Sequence, residues 1–80
     1  MSKPIVRYDA EADAVYVRLN DGRYERTEEL DDCRNIDYDA DGRAIGVEFL
    51  YVSMGVDLSD VPQAAAVAEA LRQLPIRLLA

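Results

Sequence analysis

A ten-residue unit occurs twice in this chain, with the copies 30 residues apart. Residues 8–17 (YDAEADAVYV) align without gaps with residues 38–47 (YDADGRAIGV), and five of the ten positions are identical. Each copy has the pattern of a strand end, an acidic turn and a second strand. A single hairpin is at best marginally stable in water. The duplication therefore predicts a sheet built from two similar hairpins.

Alternation of apolar and polar residues predicts four or five strands in the first 52 residues. The apolar side chains of residues 43–52 fall on nearly both faces, which is typical of a central strand. Asn20-Asp21-Gly22 and residues 39–42 have the composition of hairpin turns. Gly46 would allow close approach of another backbone. The predicted strands are residues 4–8, 14–19, 23–30, 34–38 and 43–52.

The pattern changes to a helical one after residue 57. Ser59 or Asp60 can cap a helix that has Pro62 in its first turn and continues to Leu74, before Pro75 ends it. Residues 76–79 alternate like a short strand, and an apolar terminus of this kind is expected to dock. The sequence thus predicts a single α+β domain over 1–80, with an antiparallel β-meander over 1–52 and a helix packed on the sheet plus an apolar tail over 58–80.

The small size of the chain raises the question of what stabilises it. A domain of 80 residues buries only ~60% of its unfolded surface and is close to the limit of independent stability. Small domains usually add a disulfide, a metal or a partner subunit. Cys33 is the only cysteine, so an internal disulfide is excluded. We therefore predict a homodimer.

The net charge of −7 is carried entirely by residues 1–57, which hold 14 acids and 7 bases. This charge repels phosphate backbones, so we expect no binding to nucleic acid. No apolar run reaches the ~20 residues of a membrane span, and the chain leads from Met1 into a strand without an apolar run of signal length. We expect a cytoplasmic protein that does not bind membranes. The acidic charge suits a basic protein partner, although acidic surfaces most often serve only solubility.

Residues 37–48 match the calcium-loop pattern D-x-D-x-D-G-x₅-E. The candidate ligands Asp37, Asp39 and Asp41 stand at positions one, three and five, and Glu48 stands at position twelve. Calcium prefers several hard oxygen ligands and a closing bidentate carboxylate. Such a loop lies between helices, whereas both flanks here are predicted strands. The favoured interpretation is an acidic turn whose aspartates cap their own backbone, with a calcium or metal-binding module as the alternative.

Residues that support catalysis are few. The chain has no histidine and one lysine, Lys3, so acid–base chemistry would depend on Asp, Glu or Tyr. Cys33 is surrounded by acids, which disfavour the thiolate. The five tyrosines are expected to pack across strands. We therefore predict no catalytic or cofactor-binding residues and no cofactor, with a small hydrolase using an acidic pair at a dimer interface as a further alternative.

Four short motifs together resemble the small bacterial domain-of-unknown-function family 2283. They are residues 8–9, 13–17, 35–42 and 45–48, and the resemblance extends over residues 5–50. It implies a small β-rich domain and no established activity. Members are similar to small accessory proteins sometimes encoded beside toxin-like proteins, which implies an antitoxin-like role.

Two features depart from the family pattern. Cys33-Arg34 stands where the family commonly has Gly-Val, so the bend after Asp32 is expected to differ. Residues 53–80 lie outside the shared motifs. The leading functional hypothesis is a non-catalytic interaction domain that masks a basic partner such as a toxin nuclease. Its acidic surface would comprise residues 14–30 and the turns 9–13 and 39–42.

Overall fold

The computed structural model describes residues 4–79. Its strands are β1 (Ile5–Asp9), β2 (Ala14–Arg18), β3 (Arg26–Asp31), β4 (Arg34–Tyr38) and β5 (Ala44–Leu50), followed by a turn of 3-10 helix (Val52–Met54), β6 (Val56–Asp57), helix α1 (Ala64–Leu71) and β7 (Leu78–Leu79). Strands β1 to β5 form one antiparallel sheet in the order β1-β2-β5-β4-β3. The predicted α+β architecture, with one C-terminal helix, is confirmed.

The two copies of the repeat form the hairpins β1–β2 and β4–β5, which lie side by side through β2 and β5. Val17 and Val47 hold the same position in the two copies and are direct partners across this junction. Val6 opposes Val17, and Ile36 opposes Val47. The row of four residues is therefore symmetric about its centre. The sequence duplication becomes a local two-fold relation, which places the two acidic turns at opposite ends of the sheet.

The segment between β2 and β3 is a crossing connection. Asn20-Asp21-Gly22 predicts a tight hairpin here, and that prediction is wrong, since β3 pairs with β4 at the far edge of the sheet. Leu19 continues along β5 by donating its amide to the Ile45 carbonyl at 2.8 Å. The Arg18 guanidinium donates to the carbonyls of Asn20 and Gly22 at 2.9 and 2.8 Å. These bonds direct the chain past β5. Within the main sheet, only β3, β4 and β5 form a run of three strands that are neighbours both in sequence and in the sheet, so the β-meander comprises these three strands.

One face of the sheet and one side of the helix enclose the core. β5 is the central strand, as its apolar pattern predicts, and Val47 and Phe49 on it are at most 1% exposed. Ile45 is also buried, but it lies beside Gly22 of the crossing connection and outside this core. Val67 and Leu71 of α1 are fully buried. Burial of side chains of this size is the main favourable contribution to the free energy of folding. The remaining buried apolar residues are Val15, Val17, Leu19, Ile36, Val52, Val56 and Val61.

Helix α1 begins at Ala64, later than the predicted start at Ser59 or Asp60. Asp60 and Gln63 have φ angles of 61° and 53°, in the left-handed region that interrupts a right-handed helix. The Asp57 carboxylate also accepts a hydrogen bond from the Ser59 amide at 2.9 Å, which forms a turn just before the predicted start. The last helical residue is Leu71, three residues before the predicted end.

The apolar tail docks on its own chain. β7 pairs in parallel with β6, and the Val56 amide donates to the Arg77 carbonyl at 2.8 Å. Leu74, Ile76 and Leu78 are half-buried against the core. The expectation that this terminus docks is confirmed, and it docks on its own molecule. No helix within residues 4–79 is both long enough and apolar enough to cross a membrane.

Candidate functional site

The face of the sheet opposite the core carries a row of polar side chains. Tyr16 and Arg18 on β2, Glu48 on β5, and Asn35 and Asp37 on β4 are half-buried. They alternate with the core residues of the same strands, because successive side chains of a strand point to opposite faces. We call this surface the open face. It brings together polar groups from three strands that are distant in sequence.

Tyr16 lies over Gly46 on the open face. A Cβ atom at Gly46 would overlap the Oη and Cζ atoms of Tyr16. Tyr16 donates its hydroxyl hydrogen to the Asp37 carboxylate at 2.9 Å, and Asp37 is the direct strand partner of Gly46. The predicted close approach at Gly46 is thus made by an aromatic ring, where the sequence suggested a backbone. Glycine at this position allows a tyrosine from β2 to reach β4 across β5.

The polar network continues from Asp37 to the edge of the sheet. Thr27 on β3 donates its hydroxyl hydrogen to the other Asp37 oxygen, and the Tyr24 hydroxyl lies 3.0 Å from Thr27 Oγ1. On the same face, the side-chain amide of Asn35 donates a hydrogen bond to the Glu48 carboxylate at 3.0 Å. Hydrogen bonds of this kind satisfy carboxylates that the sheet partly removes from water.

Partial burial, the hydrogen bond to Asp37 and the negative charge of Asp37 together raise the pKa of Tyr16 to about 12. A tyrosine whose pKa lies this high stays protonated at neutral pH. It can donate a hydrogen bond, but it cannot serve as a general base there. Its one hydroxyl hydrogen is donated to Asp37, so Tyr16 itself can offer a ligand its hydroxyl oxygen as an acceptor and its ring as a contact surface.

The raised pKa of Tyr16 gives a testable pH dependence. A pKa that is higher in the folded state than the ordinary value of 10.0 adds stability that is fully present below pH 10 and is lost as the pH rises towards 12. We expect absorbance titration of the tyrosinates to show one group that ionises later than the others, and Tyr16→Phe to remove it. Tyr51→Phe, at a tyrosine that is 60% exposed, is the control. If the late-ionising tyrosine disappeared in Tyr51→Phe and not in Tyr16→Phe, the assignment of the raised pKa to Tyr16 would be contradicted.

The four candidate calcium ligands do not converge on one point. Asp39 caps its own turn by accepting hydrogen bonds from the amides of Asp41 and Arg43 at 3.0 and 2.8 Å. Asp37 and Glu48 accept bonds within the open face, while Asp41 is exposed on the turn. Residues 4–79 contain no group of three or more His, Cys, Asp or Glu side chains placed to hold a metal ion. Calorimetric titration with calcium remains the direct test of the metal-binding alternative.

Arg34 is a buried charged residue for which the sequence predicts no functional role. It is 8% exposed, and its guanidinium donates to the Asp31 carboxylate at 3.0 and 2.8 Å. Its Nη1 donates to the carbonyls of Asp57 and Ser59 at 3.0 and 2.6 Å. The hydrogen bonds from Arg34 lower the pKa of Asp31. We call this set the Arg34 bridge, and it ties the sheet to the C-terminal segment.

Negative charge is concentrated on the outer strand β3. We call the exposed acids at this edge the acidic edge: Glu25, Glu28, Glu29, Asp31 and Asp32. The turn 39–41 lies beside its beginning and shares a shallow concavity with Glu25. The turn 9–13 instead contacts the other end of β5, where Asp13 accepts hydrogen bonds from Ser53 at 2.8 and 2.7 Å. The predicted acidic surface is therefore not continuous, since its two turns lie at opposite ends of the sheet.

An apolar cleft of about 480 Å³ separates the end of the sheet from β6 and β7. Exposed Tyr51, Met54 and Leu79 line it, together with the Cys33 thiol. Arg34 and Asp57 close its polar end. Asp31 also lines the cleft, so two acids are present, and the Arg34 guanidinium lies 2.8 Å from the Asp31 carboxylate and 4.0 Å from the Asp57 carboxylate.

A comparison with known protein families finds a match for the part of the chain that forms the main sheet. The family model described as "Protein of unknown function (DUF2283)" matches residues 5–53, which is more than half of the chain. The chain belongs to the DUF2283 family. Neither a curated protein nor a solved structure was found to match it. The match covers all five strands of the main sheet, so the open face and the acidic edge both lie within the DUF2283 part.

The C-terminal elements of this DUF2283 protein lie outside the family match. β6, α1 and β7 lie beyond residue 53, where the match ends. Arg34 lies inside the match, yet it binds the carbonyls of Asp57 and Ser59 outside it. The resemblance had marked this position as a departure from the family pattern. The structure supplies a physical role for the arginine, since it holds the C-terminal segment on the sheet.

Proposed function

We propose that the chain is a cytoplasmic, homodimeric and non-catalytic interaction domain that binds a basic protein partner, in an antitoxin-like role. The observation that carries the proposal is the acidic edge. Within the described residues, Glu25, Glu29 and Asp32 take part in no ion pair. Unpaired acids on one edge attract a cationic surface and accelerate its association.

The chemistry of the open face supports a binding role over a catalytic one. The chain has no histidine, and Tyr16 remains protonated at neutral pH because its pKa is raised. Asp37 and Glu48 both accept hydrogen bonds from neighbouring side chains. These groups can recognise a partner surface without a group poised to move a proton at neutral pH.

The location of the binding charge can be tested with a defined probe. We expect a fluorescent arginine-rich peptide to bind in low salt, and the triple variant Glu25→Gln, Glu29→Gln, Asp32→Asn to bind it at least about tenfold more weakly, because three charge contacts are lost. Fluorescence anisotropy over a salt series measures both the affinity and its salt dependence.

A matched control separates the location of the charge from its amount. The triple variant Glu11→Gln, Asp21→Asn, Asp60→Asn removes the same net charge from exposed residues that do not belong to the acidic edge. Neither set includes a side chain that makes a hydrogen bond in the described structure. Equal weakening by both variants would mean that only net charge matters, and the acidic edge would then not be the binding site.

A further inference from the structure

The two edges of the main sheet differ in how well they resist pairing with another strand. β3 carries the acidic edge, and its register shifts between Glu29 and Asp31. Charged side chains and irregular register are the usual protections of an edge strand. β1 pairs with β2 over five consecutive residues without a shift, and its Ile5 and Tyr8 are 59% and 38% exposed. Within residues 4–79 no other strand covers it.

We propose that β1 is the homodimer interface, where it pairs antiparallel with β1 of a second copy about a two-fold axis at Tyr8. This inference rests on the homodimer of the proposed function and names its surface. The pairing covers residues 7–9 of each copy and joins the two five-stranded sheets into one sheet of ten strands. Backbone hydrogen bonds of the strand supply the attraction, as in other cases of strand addition at a free edge.

The charges on β1 select the register. Directly opposed residues of an antiparallel pair share a face of the sheet, so a symmetric pair of strands must be centred on a residue. Centring on Tyr8 places Arg7 opposite Asp9 of the partner subunit, twice. Centring on Arg7 would place the two arginines against each other. Opposed charges of opposite sign stabilise a strand pair, and like charges destabilise it.

The core side of β1 has room for the second copy. Val6 and Tyr8 face a groove of about 580 Å³ between β1 and α1, whose helix wall includes the small residues Ala66 and Ala70. The two-fold axis at Tyr8 brings the partner's Tyr8 to the mouth of this groove. Aromatic side chains paired across strands add stability beyond the area that they bury.

Cysteine cross-linking tests the register directly. In a Cys33→Ser background, we expect Tyr8→Cys to oxidise to a covalent dimer, since the Cα atoms of directly opposed residues lie ~4.5–5.5 Å apart, within disulfide range. Arg7→Cys is the matched control. In this register residue 7 opposes residue 9 of the second copy, so two cysteines at position 7 do not face each other. Cross-linking of Arg7→Cys to the same or a greater extent would overturn the proposal.

Charge reversal provides a second, independent measurement. Arg7→Asp places acids opposite each other, so we expect its dimer to dissociate at least about tenfold more readily. Arg43→Asp makes the same charge change at an exposed turn and should not alter dimerisation. Mixing Arg7→Asp with Asp9→Arg should restore the dimer, because each copy then opposes acid with base. Circular dichroism verifies that each variant is folded.

The outcomes separate the interface from the wider proposal. Sedimentation velocity at micromolar concentration should give twice the chain mass of 8.9 kDa. A monomer at every concentration would overturn the homodimer and this interface together. A dimer that is unaffected by Arg7→Asp and not cross-linked through Tyr8→Cys would overturn the interface alone. Peptide binding at the acidic edge is measured separately and does not depend on either result.

Discussion

Replacing Arg34 with alanine is expected to lower the free energy of unfolding by about 2–4 kcal/mol, which is a large share of the stability of a small domain. Arg34 donates four hydrogen bonds from a nearly buried position, two of them to the carbonyls of Asp57 and Ser59. Alanine would leave these carbonyls without their donor and leave a void between the sheet and the C-terminal segment.

Thermal unfolding followed by circular dichroism measures this effect. We expect the midpoint to fall by at least about 10 °C, given the steep dependence of midpoint on stability in small domains. Arg72→Ala is the matched control, since Arg72 bonds Glu69 on the exposed side of α1, where both side chains are more than 60% exposed. Exposed ion pairs contribute at most about 1 kcal/mol. Similar midpoints for the two variants would contradict the role of the Arg34 bridge.

The Arg34 variant also has a signature in acid. Arg34 lowers the pKa of Asp31 below its ordinary value of 3.8. A carboxyl with a lowered pKa contributes stability that is present above its unfolded pKa and is lost as the pH falls through the folded value. The difference in stability between the native chain and Arg34→Ala should therefore narrow below pH 4. A difference that stays constant into strong acid would mean that packing alone accounts for the effect.

Local patterns predict the strands because the alternation of apolar and polar residues lies within each strand itself. The alternation in residues 14–19 and 34–38 identified β2 and β4 almost to the residue, and the repeat identified both hairpins. The order of strands is not a local property. Asn20-Asp21-Gly22 has the composition of a hairpin turn, but the bonds from Arg18 and the pairing of Leu19 with Ile45 determine where the chain goes next.

The features of the candidate site were harder to predict, because each depends on contacts between distant segments. Arg34 and Ile36 are two residues apart on β4, so their side chains point to the same face of the sheet. This spacing predicts a charged side chain on the core side of β4. That signal was present in the sequence, but the partners at Asp57 and Ser59 were not identifiable without the fold. The predicted start of α1 is wrong for the same reason, since the carbonyl of Ser59, a predicted cap, accepts a hydrogen bond from the distant Arg34.

The second large effect is expected from Gly46→Ala. A Cβ atom at this position would overlap the Tyr16 ring, which must then swing away and give up its hydrogen bond to Asp37. Overpacking of this kind costs about 1–3 kcal/mol, and the displaced ring loses its contacts on the open face. Gly46→Val should cost more, because its branched side chain leaves less room for the ring.

A double-mutant cycle isolates the contact between Tyr16 and Gly46. Tyr16→Ala removes the ring, so adding Gly46→Ala in that background should cost little or even stabilise the strand, since alanine restricts the unfolded chain more than glycine does. The two substitutions should therefore couple by at least about 1 kcal/mol. Urea unfolding of the four proteins gives the cycle. Additive effects would mean that the glycine serves the strand backbone and not the ring. In that case the reach of Tyr16 across β5 to Asp37, which organises the open face, would not depend on residue 46.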